Sequence, residues 1–198
     1  MSLANYADLQ TSIAAWSNRS DLGPYLADFI TLAEAKMSAD LSAKSLEQIQ
    51  VISIASGVGA LPDNVISVQS LRTFDTTYPE VEITSRERVQ QLIEALYSGR
   101  RSYAYFVGQS VYVYPTYTGS LEITAKCRVP PLSGTGTNWV MSNYPNVYLF
   151  GSLMEVADFM KDETALAKWT IRYAQAVEAA NKAQYSGQTA SAKVWGVR

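Results

Sequence analysis

Glu155 and Asp158 stand three residues apart in a stretch of helical periodicity, so their carboxylates share one helix face. Two carboxylates held at a fixed separation can do acid/base work on a glycosidic bond. This pair lies away from most of the apolar positions around it, and solvated surface charge is its ordinary reading. The other candidate acids are Asp8, Asp28, Glu34, Glu80 with Glu82, and Asp162 with Glu163. They show no triplet at metal-ligand spacing. The chain has no histidine and one cysteine, Cys127. Ser-His and Cys-His nucleophilic sites, His- or Cys-rich zinc sites and an internal disulfide are thereby excluded, while carboxylate-only metal binding stays open. Gly57-x-Gly59 and Gly134-x-Gly136 are too short to be phosphate fingerprints, and the second does not lead to a lysine. The residues assign no catalytic group, no metal ligand and no cofactor. By elimination they point to a structural or interaction protein.

The bulk properties agree. A chain of 198 residues with 47% hydrophobic content can build one domain with a sizeable core. A formal charge of −2 gives no electrostatic reason for tight nucleic-acid binding, although Arg86, Arg88, Arg100 and Arg101 lie close in sequence. The 13 tyrosines concentrate around residues 103–117 and 144–148, as packing residues or as contacts at a subunit surface. The opening MSLANYADLQ lacks the pattern of a signal peptide, and no apolar run is long enough for a bilayer. A soluble protein made in the cytosol is expected.

The carboxylate pair belongs to the most regular stretch, Asn138 to Ala183. Leu149, Leu153, Val156 and Met160 recur at helical spacing, and so do Leu166, Trp169, Tyr173, Val177 and Ala180. Lys161-Asp162-Glu163 separates the two sets, with Asp162 as cap of the second helix. Pro145 limits the first helix backwards. The periodicity predicts helices over 5–16, 25–45, 86–97, 146–160 and 163–183, the last two as an antiparallel hairpin. Between them lies a β-rich insertion, 48–129. Its segments include 65–71, whose apolar positions 66, 68 and 71 suggest a bulge or two-sided burial. Tyr103–Val107 and Val111–Pro115 read as a hairpin turning at Gly108-Gln109. Leu121–Val129 alternates over nine residues and puts Cys127 on the apolar face. The expected fold is α+β and mainly helical: an antiparallel helical bundle with a C-terminal helical hairpin and an inserted small antiparallel β-sheet region. Residues 1–185 read as a single domain and 186–198 as a flexible C-terminal tail. In that tail Trp195 has two open readings, a residue folding back on its own domain or an anchor ordering against another chain.

The order of elements resembles the adaptor proteins of tailed bacteriophages, also called head-to-tail connector or tail accessory proteins. The likeness rests on Leu61-Pro62-Asp63 before a strand, Tyr114-Pro115 closing one, Asn138-Trp139, and Pro145-Asn146-Val147-Tyr148-Leu149-Phe150-Gly151. The last is followed by Leu153, Glu155, Ala157 and Lys161-Asp162-Glu163, and the likeness runs from Tyr6 to about Ala183. The resemblance implies a structural virion protein and no enzyme. It implies a homo-oligomeric ring, usually a dodecamer, docked on the portal protein and offering a platform to nozzle or tail-tube proteins. Duplex DNA would pass through its channel without sequence-specific binding, and no membrane is involved. The location would be the head-to-tail interface of the virion, with the host cytoplasm during assembly. The tail would dock on the portal, with Val194, Trp195, Val197 and Arg198 as partner-binding residues. The alternatives are a tail-associated peptidoglycan hydrolase using carboxylates such as Glu155 and Asp158, or another connector or tail-completion protein.

Overall fold

The computed structural model describes residues 3–42, 44–74, 80–97, 99 and 101–186. The chain divides into two compact units, one made of residues 46–128 and the other of the segments before and after them. The first segment holds two helices. Helix α1, Tyr6–Ser17, starts at Asn5, whose Oδ1 accepts from the Asp8 amide at 2.9 Å. The Tyr6 amide, which no helical turn can satisfy, donates to the Gly136 carbonyl at 2.8 Å. Helix α2, Leu26–Asp40, buries Leu26, Phe29, Ile30, Ala33 and Met37 along one side.

Residues 46–128 contain strands β1 (Glu47–Ala55), β2 (Val58–Ala60), β3 (Val65–Thr73) and β4 (Glu80–Ile83), then helix α3 (Arg86–Glu94). Strands β5 (Ser102–Val107), β6 (Ser110–Tyr114) and β7 (Gly119–Cys127) follow. They form a closed barrel in the order β1-β2-β6-β5-β4-β3-β7, with β7 pairing back to β1. A ring with an odd number of strands cannot alternate direction all the way round, so at least one pair must be parallel. That pair is β4–β5. A parallel pair needs a long crossover, and α3, capped by Ser85, occupies it.

This overturns the expectation of a mainly helical bundle carrying a small antiparallel sheet. The barrel is a unit with its own core, and one of its pairings is parallel. Alternation along a strand says which side chains share a face but not which strands pair, so separate segments do not disclose closure. Strand β1 adds a second reason. Ile52 and Ile54 point into the barrel, but Ile49 and Val51 point out, at 67% and 59% exposure. The half-buried Gln48 and Gln50 alternate with them. Gln50 Nε2 donates to Gln48 Oε1 at 3.2 Å and to Cys127 Sγ at 3.5 Å.

Strand β7 follows its alternation, with Leu121, Ile123, Ala125 and Cys127 fully buried. Burial pushes the Cys127 thiol pKa up. Two register shifts in β3, at Val65/Ser67 and Val68/Ser70, are the irregularity its uneven apolar positions announce. The β1–β2 turn has left-handed residues at Ser56 (φ 51°) and Gly57 (φ 80°), the conformation that matches strand twist. A Cβ on Gly57 would stand 2.9 Å from the Val113 carbonyl oxygen, so only glycine fits. Helix α3 ends at Glu94, short of the expected residue 97, and Leu96 beyond it has φ 48° and is exposed.

After Val129 the chain adds two short helices, α4 (Leu132–Thr135) and α5 (Trp139–Asn143), then α6 (Pro145–Phe159) and α7 (Glu163–Ser186). Helix α6 is buried on most sides, and a Cβ on its Gly151 would crowd the Tyr173 ring at 3.3 Å and Ala33 Cβ at 3.4 Å. Three polar side chains of the helical unit receive the returning chain. Ser38 Oγ accepts from the Val129 amide at 3.0 Å, and Glu34 Oε1 accepts from the Leu132 amide at 2.8 Å. Asn138 Nδ2 donates to the Pro130 carbonyl and to Tyr148 Oη, both at 2.6 Å, and Tyr148 Oη donates to Glu34 Oε1 at 3.3 Å. Burial is the main cause that raises the Glu34 carboxyl pKa, opposed by these hydrogen bonds, and burial likewise keeps the Tyr148 phenol protonated. At the far end of α7, Asn181 Nδ2 donates to the Asp40 carbonyl and its Oδ1 accepts from the Ser42 amide, closing the end of α2.

The α6–α7 turn follows a recognised terminator. Lys161 is left-handed at φ 55°, its amide donates to the Asp158 carbonyl, and the Asp162 amide donates to the Ala157 carbonyl. Asp162 Oδ1 then accepts from the Ala165 amide and caps α7. A side chain at the left-handed position costs roughly 1 kcal/mol relative to glycine. Lys161→Gly is therefore expected to raise unfolding free energy by about 1 kcal/mol in denaturant titration.

Tyr148→Phe removes a fully buried hydroxyl and leaves the half-buried Asn138 a partner short, which costs about 1–3 kcal/mol in the same measurement. For Glu34 the raised pKa means that the fold favours the protonated acid. Its contribution is full below the unfolded carboxyl pKa and is lost as pH rises through the folded one. Thermal stability of the parent is expected to fall across that window, and Glu34→Gln, which cannot ionise, is expected to flatten the fall.

Candidate interaction surfaces

The acids singled out by sequence are dispersed. Asp158 is exposed and Glu155 half-buried on α6. Burial chiefly raises the Glu155 carboxyl pKa; Lys36 opposes the shift and Asp158 adds to it. Neither acid lines the two main grooves of the helical unit. Asp8 accepts from the Ala4 amide, Asp162 caps α7, Glu34 serves the interior, and Glu82 lies 3.7 Å from Arg101 on the barrel exterior. Among the described residues no group of three His, Cys, Asp or Glu side chains could hold a metal ion. No helix of the described residues is long and apolar enough to cross a membrane. Val194, Trp195, Val197 and Arg198 lie outside the described residues.

The helical unit has instead an aromatic cluster that sequence reasoning missed. Trp16 from α1 meets Phe150 of α6 at 6.3 Å and Trp169 of α7 at 5.8 Å between ring centroids. Phe150 and Trp169 stack at 6.0 Å. Lys168 Nζ stands 4.4 Å from the Trp169 centroid, and the Arg172 guanidinium lies 5.4 Å from Trp169 and 5.8 Å from Phe150. Trp16 remains 47% exposed. A groove of about 390 Å³ opens beside it, lined by Leu153, Val156, Met160 and the two tryptophans. Trp16 and Trp169 each fit the apolar face of their own helix, so nothing in the local pattern told that they meet. The only signal was that two tryptophans flank cationic residues, the composition of a binding hot spot.

A second groove of about 520 Å³ runs between α2 and α7. Tyr173, Ala174 and Val177 line its middle, and Lys36, Asp40, Glu178 and Lys182 form its rim. Tyr173 Oη donates to Asp40 Oδ2 at 3.0 Å, Lys182 pairs with Glu178 at 2.6 Å, and Lys36 Nζ lies 5.9 Å from the Tyr173 ring centroid.

The barrel has its own exposed apolar edge. Strand β2 pairs with β1 only at Ile54 and Ala55, so on that side residues 47–52 have no strand partner among the described residues. Ile49 and Val51 lie on that stretch with their side chains on the barrel exterior, and an open apolar edge is what isolated proteins avoid. Among the described residues strand β4 meets β3 only at Leu71 and Arg72, and a cleft of about 310 Å³ opens nearby, lined by Val65, Ile66, Val68, Ile83 and Phe106. Tyr105 and Tyr112 stack at 4.9 Å on neighbouring strands. Apolar grooves and open strand edges are surface types at which polypeptides dock.

No curated protein matches the chain. A family model described as SU10 adaptor protein matches residues 4–194, a stretch that takes in both units. Nearly the whole sequence is covered, and the protein belongs to the SU10 adaptor protein family.

Proposed function

We propose that this chain forms a ring of identical subunits, twelve in number, that joins the portal to the nozzle or tail tube of a tailed bacteriophage and continues the DNA channel. Family membership makes it a bacteriophage adaptor, a structural protein of the virion. The observation that carries the finer reading is the extent of the match, which runs from residue 4 to residue 194. A ring closes through two different patches on each subunit. The Trp16–Phe150–Trp169 surface and the open β1 edge are two such patches, on separate units, each with apolar side chains at the surface. The near-neutral charge of −2 suits a channel through which DNA must slide, since many phosphate contacts would hold it. Val194, Trp195, Val197 and Arg198 are proposed to anchor the tail on the portal. Glu155 and Asp158 are surface carboxylates in this reading, with no role in catalysis.

Sedimentation with purified portal rings tests it. The full chain is expected to travel with the portal, while a chain lacking residues 188–198 stays behind with unchanged far-UV circular dichroism. Co-sedimentation of the shortened chain would remove the role of the tail, and failure of the full chain to co-sediment would remove portal binding. Soluble fragments released from cell-wall sacculi by the full chain, but not by Glu155→Gln or Asp158→Asn, would reassign the protein as a hydrolase.

A further inference from the structure

The helical unit carries a second aromatic group besides the Trp16 cluster. Phe159 of α6 meets Tyr25 at 5.3 Å and Phe29 at 5.4 Å between ring centroids. Phe150, which meets Trp16 and Trp169, and Phe159 are nine residues apart on the same helix. That spacing is about two and a half turns, so the two rings leave α6 in opposite directions. Both groups reach the surface: Trp16 is about half exposed, and so are Tyr25, Leu32 and Phe159. Tyr25 is the N-cap of α2, and Asp28 and Leu32 follow at spacings of three and four, which makes one stripe beside Phe159.

The charges beside the two groups differ in sign. Lys168 and Arg172 stand over the Trp169 ring, and Asp162, the acid that lines the same groove, caps α7. On the other side Asp28 lies within the stripe, and Glu155 comes one turn before Phe159. Lys36, one turn beyond Leu32, has its Nζ 5.9 Å from the Tyr173 ring centroid and offsets the charge of Glu155. Lys168, Arg172 and Asp28 are exposed and have no ion-pair partner among the described residues. An aromatic surface with unpaired cations and one with an unpaired carboxylate are complementary. Because α6 lies between them, they meet only between copies. Contact between two different surfaces is head-to-tail, the kind that closes a ring. The exterior of β1 is a poorer complement, since Glu122 and Lys126 of β7 stand opposite Val51 and Glu47 and bring both signs there.

We propose that the Trp16–Trp169 surface of one subunit seats the Tyr25–Leu32–Phe159 surface of the next, with Asp28 of the second facing Lys168 and Arg172 of the first. This rests on the proposed ring, whose neighbours are copies of this chain, and it names the faces that join them.

Sedimentation velocity of the full-length protein without portal, at rising concentration and low salt, tests the pairing. The parent is expected to self-associate. Arg172→Glu and Asp28→Lys each set like charges across the contact and are expected to weaken association about tenfold or more. In an equimolar mixture of the two variants, contacts between unlike subunits join opposite charges again. The mixture is expected to associate as the parent does, and so is the double variant alone. Circular dichroism checks the fold of each variant, and recovery in the mixture shows that neither change acted through unfolding. A parent that stays monomeric, single variants that associate like the parent, or a mixture and double variant that do not recover would each overturn the pairing. Parent association that neither change weakens would keep a self-assembling subunit and remove these faces from it. No portal is present, so a failure of portal binding is a separate result.

Discussion

A helical unit whose chain leaves at Ser45 and returns at Val129 must be closed by contacts that chain continuity does not supply. The Glu34 carboxylate provides the central one. It accepts from the Leu132 amide where the chain re-enters and from Tyr148 Oη on the most buried helix. Ser38, one turn further along α2, accepts from the Val129 amide, and Asn138 ties Pro130 to Tyr148. Each hydrogen bond contributes about 1 kcal/mol net, yet loss of any member strands a buried polar group at greater cost. The geometry is thus held by penalty more than by gain. Helices α6 and α7, which carry the aromatic cluster and both grooves, stand on this clasp.

The barrel obeys a different constraint. Seven strands can close only with a parallel pair, and the crossover helix α3 follows from that parity. Closure removes most edges, but the short strands β2 and β4 leave two stretches of wall unpaired. Apolar Ile49 and Val51 stand at one of them while glutamines alternate with them. Such a placement is unfavourable for an isolated subunit and favourable in an assembly, where a neighbour covers the edge. In the proposed ring the barrel core would supply self-sufficiency and the exposed edge contact.

An adaptor needs surface complementarity, and the chemistry of this chain is of that kind. Aromatic rings with cations above them offer large contact area at small entropic cost. No step in the proposed role requires a nucleophile or a tuned acid. Glu34 and Tyr148 in the interior and the half-buried Glu155 owe their raised pKa values mainly to burial. In the proposed role their titration bears on stability alone.

Local pattern alone determined a good deal. The helix caps at Asn5, Ser85 and Asp162, the period-two pattern that buries Cys127 and the hairpin at Gly108-Gln109 depend on residues within a few positions of one another. The absence of histidine excluded whole classes of site before any fold was known. Tertiary structure decided the rest. Glu34 looked like one more dispersed acid until residues about a hundred positions away met it, and Trp16 joined Trp169 only through the packing of three helices. Barrel closure was out of reach for the same reason: strand pairing is a relation between distant segments, and a single strand carries its face but not its neighbour. Periodicity records how each element meets the interior, whereas the identity of the partner across that interior is settled only when the whole chain has packed.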